Sequence, residues 1–286
     1  MIKFLITGLL RDRSRSLVPV LIVSIGVALT VFLHAYITGF MGDTIEMNAR
    51  FSSGHLKVMT RELAQNPELL SPELALSEVD QLITQISQRW PDTEWVPRIN
   101  FGAMIDVPDN EGNTRAQGIV AGLALKDLGP QQSETLRLGL NRSLVEGQLP
   151  TKPSEALLSH TLAQRLGIKP GQRFTLIGSD AFGSMAMANF VLSGTIRFGT
   201  EALDRAMVLC QFSDVQQWLQ MENSATELLG FLPGGFYNNR HALSIAQSFN
   251  DIQNGRDEFS PFMRALSQQG TMGQYVQLTE TWTFLL

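Results

Sequence analysis

The chain holds one cysteine, Cys210, among 286 residues, so no intrachain disulfide is possible. A small domain stapled by disulfides is excluded, and a region of about 240 residues can bury enough apolar surface without such cross-links. Cys210 sits in the apolar run Met207-Val208-Leu209-Cys210 and reads as a buried thiol. There is no Gly-Lys dipeptide, so there is no P-loop with which this chain could cradle nucleotide phosphates itself. Neither G-x-S-x-G nor G-x-G-x-x-G occurs. The four histidines, His34, His55, His160 and His241, are widely separated and no pair has metal-ligand spacing, so each reads as a surface or hydrogen-bonded residue. Charged residues are scarce, 17% of the chain against about 25% in an average soluble domain.

Much of that scarcity lies in one place. From Leu17 to Phe40 there is no Asp, Glu, Lys or Arg. As a helix this run spans about 36 Å, enough to cross a hydrocarbon core of about 30 Å with some tilt. Pro19 is expected in the first turn, where its missing N–H is harmless. Lys3, Arg11, Arg13 and Arg15 precede the run against Asp12 alone, whereas Asp43 and Glu46 follow it. The positive-inside rule places the N-terminus in the cytoplasm and the bulk outside. A cleaved signal peptide would have a shorter apolar region and a small-residue cleavage site, which Leu33-His34-Ala35 does not supply. Ile2, Leu5, Ile6, Leu9 and Leu10 recur at helical spacing beside the basic residues and read as an interfacial helix over 1–16, preceding a transmembrane helix over 17–40. Residues 1–16 carry +3, so the remainder carries −8, and an acidic bulk argues against nucleic acid as a partner.

Beyond the span, the periodicities predict an α+β region over 41–280. Gly54 to Met59 reads as a strand, and Asn66 to Pro72 as a loop. Ser77 and Asp80 resemble a capping box before the stripe Leu76, Val79, Leu82, Ile83, Ile86 and Trp90. Glu94 to Val107 and Arg115 to Ala121 form strands about a turn at Pro108–Gly112. Glu155 to Ser159 is a strand, Thr161 to Leu166 a helix stopped by Gly167, and Lys169-Pro170-Gly171 a turn before a strand starting at Arg173. Ser179 to Ala188 is a loop or hairpin tip, with strands at Phe190–Ile196 and Ala206–Leu209 and a helix capped by Ser213. Glu227 to Leu232 is a strand, and Ala242, Ile245, Ala246, Phe249 and Ile252 make a helical stripe. Ser260-Pro261 is expected to open a further helix, and Tyr275 to Leu278 a final strand. The pattern predicts a βαβ-type subdomain built from both ends of the region, with a mainly-β subdomain inserted at about 122–225.

Residues of catalytic type form no constellation. Asp106, Asp109 and Glu111 flank a turn and read as solvated. Asn141-Arg142-Ser143 matches a glycosylation acceptor, relevant only in a eukaryotic secretory setting. Phe231, Phe236 and Tyr237 around Pro233-Gly234-Gly235 are core or a contact loop. No catalytic, cofactor-binding or metal-binding residue is assigned, and no cofactor is expected.

Three stretches resemble one family. They are Leu9 to Ser16 leading into Ile25-Gly26-Val27-Ala28; Phe51-Ser52-Ser53-Gly54-His55-Leu56-Lys57-Val58; and Glu146-Gly147-Gln148-Leu149-Pro150, then Glu155 to Ser159, then Leu162 to Gln172, continued by Phe190 to Gly194. Together they resemble the permease subunits of bacterial ABC transporters of the MacB/LolC/LolE, FtsX-like type, and Thr281-Trp282 is closer to the lipoprotein-release branch. The resemblance implies an inner-membrane permease that is not itself an enzyme. It implies a cytoplasmic ABC ATPase and a second permease copy or paralogue as partners, membrane lipid around the span, and a lipoprotein or lipid as a possible substrate. Such permeases carry further spans, so 281–286 reads as the start of a second span and the chain as a truncated permease. The alternative is a stand-alone, membrane-anchored periplasmic binding or scaffold module.

Overall fold

The structure, a computed structural model, describes residues 13–66, 69–253, 255, 257–270 and 272–277. The expected interfacial segment up to residue 12, and residues 278–286, lie outside the described residues.

Helix α1 runs over Arg13–Asn48, 36 residues or about 54 Å. It is exposed along the charge-free run, with apolar residues on every side, and is long and apolar enough to cross a membrane. Pro19 lies inside this helix rather than in its first turn. The helix also outlasts the charge-free run, carrying Asp43 and Glu46 in its last two turns. A π-helical turn, Ala49–Ser53, then delivers the chain into strand β1, Leu56–Thr60.

The remaining described elements follow in order: α2 (Arg61–Gln65), α3 (Val79–Arg89), β2 (Glu94–Pro108), β3 (Thr114–Leu125), α4 (Ser133–Arg137), α5 (Leu140–Ser143), β4 (Leu144–Gly147), β5 (Glu155–Ser159) and α6 (His160–Leu166). Then come β6 (Arg173–Ser179), β7 (Met185–Ile196), α7 (Glu201–Ala206), β8 (Met207–Gln211), α8 (Phe212–Trp218), β9 (Glu227–Phe231), α9 (Asn239–Gln253), β10 (Pro261–Ala265) and a short helix α10 over 272–277.

Their pairing makes two structures that share β2. Strands β10, β1, β9 and the first half of β2 form an antiparallel sheet. The apolar faces of α3 and α9 supply Val79, Leu82, Ile86, Ala242, Ile245 and Phe249 to its core. The second half of β2 pairs with β6, β6 with β7, β7 with β5, β5 with β8, β8 with β3 and β3 with β2 again. Six strands thus close a barrel, which has no free edge among those six. Phe101, Ile105, Phe174, Phe190, Val208 and Cys210 point into the common core, joined by Leu162 of α6 and Trp218 of α8. The protein is therefore α+β, with one long apolar N-terminal helix. The barrel draws on β2 and β3, which begin before the 122–225 segment.

Several expectations are corrected. Ser77 and Asp80 make no capping box. Glu78 sits at the cap with φ 52°, and α3 is capped from far along the chain. Val79 N–H donates to the Asn223 carbonyl and Asp80 N–H to its Oδ1, both at 3.0 Å. Replacing Asn223 with alanine is expected to lower stability by about 1 kcal/mol, as loss of a helix cap does, measured by urea unfolding; no change would remove this long-range cap.

Ser213 is not a cap either, because α8 starts at Phe212, whose ring is buried. Pro261 opens strand β10 rather than a helix. As the first residue of an edge strand it needs no ladder N–H, and Met263 and Ala265 alternate inward. Tyr275 to Gln277 is helical, not a strand, because Val276 packs on Ile45 and Ala49 of the long helix. Ile252 of the α9 stripe is exposed.

Candidate functional site

The residues joining the long helix to the β domain form the most elaborate polar arrangement among the described residues. A helix end leaves backbone carbonyls without partners. Here the guanidinium of Arg98, on β2, satisfies them: Nη1 donates to the Phe51 carbonyl at 3.0 Å and Nη2 to the Arg50 carbonyl at 2.8 Å. Its Nε donates to Glu134 Oε2 at 2.7 Å. Arg98 is fully buried and Glu134 nearly so. A cation placed at a helix C-terminus also meets the negative end of the helix dipole.

Glu134 holds a second arginine, Arg137, through its other oxygen. Arg137 in turn reaches Glu94 Oε2 at 2.6 Å, and its guanidinium carbon lies 4.0 Å from the centre of the Phe231 ring. Phe231 meets the His55 ring edge-on, with centroids 5.8 Å apart. His55 is buried and closes the circuit. Its Nδ1 accepts from Leu232 N–H at 2.9 Å, so the ring proton resides on Nε2, which donates to Glu46 of α1 at 3.2 Å. Glu46 accepts again from Tyr237 N–H at 2.6 Å. The last turn of α1 and the π turn that continues it are thus held by His55 just before β1, by Arg98 of β2 and by the loop after β9.

Gly54 makes the corner between helix and strand. It has φ 60° and ψ 179°, and a Cβ there would lie 2.5 Å from the Leu56 carbonyl oxygen and 3.1 Å from Leu229 Cβ. On another side, Ile45 and Ala49 pack with Leu266 and Val276.

Other groups singled out in the sequence have local roles. Asp109 accepts from the N–H groups of Glu111 and Asn113 and so builds its turn, while Asp106 accepts from Gln117. Asn141 donates to the Pro130 carbonyl. Phe231 and Tyr237 pack on His55, whereas Phe236 is exposed. No group of three or more His, Cys, Asp or Glu could hold a metal ion among the described residues.

Burial, aided by the Asp214 charge, pushes the Cys210 thiol far above its usual range. Burial also raises the Asp214 carboxyl, against the lowering effect of the Ser154 N–H that it accepts. A raised carboxyl is one whose ionised form the fold disfavours. Its contribution is therefore most favourable below the unfolded value of about 3.8 and declines as pH rises through the folded value. Asp214→Asn is expected to raise stability slightly at neutral pH, with the difference vanishing in acid. Equal stability of the two proteins across that range would show that the carboxyl is not destabilised by the fold.

Arg98, Glu134, Arg137 and Glu46 were not evident in the sequence as a group. The available signal was Arg98 itself, a charged residue flanked in β2 by Val96, Pro97, Ile99 and Phe101.

No family model matches the chain, and no curated protein matches it. In fold, 79% of the chain is similar to 92% of a solved chain, the periplasmic region of MacB from Actinobacillus actinomycetemcomitans, with 12% sequence identity and a TM-score of 0.46.

Proposed function

We propose that the chain is part of a membrane permease subunit of an ABC-type transporter in a bacterial inner membrane, relaying motion of its long helix to an external β domain. The observation that carries this reading is the gripped end of α1. A simple tether would pass from span to domain through a flexible linker. Here the helix enters the fold through a π turn and one glycine, and Arg98 holds two carbonyls of that turn from within the sheet. Any tilt or rotation of the helix must therefore carry the domain with it. The sequence resemblance described above supports the same reading. In it, ATP hydrolysis belongs to a separate subunit, and the moved domain acts on a lipoprotein or lipid at the outer face of the membrane.

The test is purification of the protein from its native membrane in mild detergent. Co-purification of a P-loop ATPase is expected, together with a nucleotide-dependent change in distance between spin labels on α1 and the barrel of a neighbouring subunit. Repeated purification without any ATPase would overturn the reading.

One observation favours the second reading, an anchored binding module. A cleft of about 830 Å³ opens beside α8, lined by Glu73, Phe182, Gln216, Gln220, Glu222 and Asn223 among others. That module would bind its ligand with an affinity indifferent to nucleotide.

A further inference from the structure

Helix α8 turns one face to the barrel core and another to open space. Val215, Trp218 and Leu219 are buried. Ser213, Gln216 and Gln217 fall at i, i+3 and i+4 on the outer side, and Gln220 follows just past the helix end. This polar stripe is one wall of the cleft of about 830 Å³, a size within the about 300–1,000 Å³ of ligand sites. The hairpin tip between β6 and β7 and the 3₁₀ turn Pro72–Leu74 supply the other walls.

These walls are fixed to one another before any ligand arrives. Asp180 is almost fully buried, and its Oδ1 accepts from the N–H groups of Phe182 and Ser184, both at 2.9 Å. Its Oδ2 accepts from Gln220 Nε2 at 2.8 Å, so one carboxylate holds both the amide and the segment carrying the aromatic ring. Ala181 N–H donates to the Leu219 carbonyl at 2.9 Å, and Gln216 Nε2 to the Ser224 carbonyl at 3.0 Å. Gln220, at φ 54°, and Asn223, at φ 48°, hold left-handed backbone in this wall, and such strain gathers at ligand sites. The side-chain oxygens of Gln216 and Gln220, and the whole Gln217 amide, have no partner among the described residues.

The chemistry of the lining narrows the ligand. Phe182 lines the cleft with 77% of its surface exposed, a largely bare aromatic ring beside three amides. Glu73 and Glu222 are the charged residues in the lining, with no Lys, Arg or His, so phosphate and carboxylate ligands are repelled. A hydrocarbon would strand the amides without partners. An extended peptide needs a strand edge, and a helix, a hairpin tip and a 3₁₀ turn offer none. A pyranose ring meets every condition: its C–H face stacks on an aromatic ring, and its hydroxyls both donate and accept, as amides do. We propose that this cleft binds an uncharged saccharide, with one ring on Phe182 and neighbouring hydroxyls bonded to Gln216, Gln217 and Gln220. This assignment rests on the second reading's cleft being a ligand site, and it holds whether or not an ATPase accompanies the chain.

The full chain, in a detergent without a sugar headgroup, is titrated calorimetrically with neutral trisaccharides of glucose, galactose and N-acetylglucosamine. A sugar phosphate and trilysine, which the carboxylates alone would attract, are titrated in the same way. At least one trisaccharide is expected to bind at millimolar concentration or below, and the sugar phosphate several-fold more weakly. Phe182→Ala and Gln217→Ala alter exposed side chains and should leave the fold intact, and each should weaken saccharide binding several-fold. Saccharide binding untouched by both substitutions would overturn the proposal. Binding of trilysine alone would overturn it too, while leaving the cleft as a ligand site. Binding of none of the probes would remove both the saccharide and the second reading.

Discussion

Arg98→Ala is expected to destabilise the protein by about 3–5 kcal/mol, the range for removing one partner of a buried ion pair. Two separate losses combine. Glu134 keeps Arg137 but loses the guanidinium that approaches its other oxygen at 2.7 Å. The carbonyls of Arg50 and Phe51 lose their donors, and an unsatisfied buried polar group costs about 1–3 kcal/mol. Urea unfolding of the full chain in detergent, followed by tryptophan fluorescence, measures the sum. Glu134→Gln should cost much less in the Arg98→Ala background than in the native protein, since groups in one network do not add. Additive effects, or a loss below about 1 kcal/mol, would mean that the network does not hold the helix end.

Gly54→Ala is the second large effect. Its φ and ψ lie in a region that glycine alone occupies readily, and forcing another residue there costs on the order of 1–3 kcal/mol. The added Cβ also meets the Leu56 carbonyl oxygen at 2.5 Å, and that oxygen belongs to strand backbone that cannot swing away. The expected relief is a shift of the helix end, which separates Glu46 from His55. Hydrogen exchange at the amides of Leu232 and Tyr237, which donate to His55 and Glu46, should therefore accelerate. Unchanged protection of both amides would show that the corner can absorb a side chain.

The elements that follow one periodicity were legible. The stripe of α3, the long strand ending at Pro108, the short helix closed by Gly167 (φ 63°) and the stripe of α9 all stand where their sequence places them. The failures occur where a distant residue takes over a local task. Asn223 caps α3 across 143 positions in the chain, which no window of sequence around Ser77 can reveal. Pro261 begins a strand because β1 offers it an edge, and Tyr275 is helical because Val276 has α1 to pack on. The junction was half legible. Gly54-His55 stood out as a unit, but the partners of Arg98 come from α4 and from the π turn after the long helix. Only the closed fold brings those three together.

The order of strands along the chain also fixes an order of assembly during synthesis. All six barrel strands lie between residues 94 and 211, whereas β1 pairs Leu56 with Gly230 and with Ala265. The barrel can close before the strands that complete the other sheet, Glu227–Phe231 and Pro261–Ala265, are available. The sheet that receives α1 must wait for residue 265, because long-range pairing forms late. The long helix is therefore the first of the described elements to be made and among the last to be seated. Chains released after residue 250 should already resist protease across the barrel and remain open at 49–60; protection of both regions alike would rule out that sequence of events.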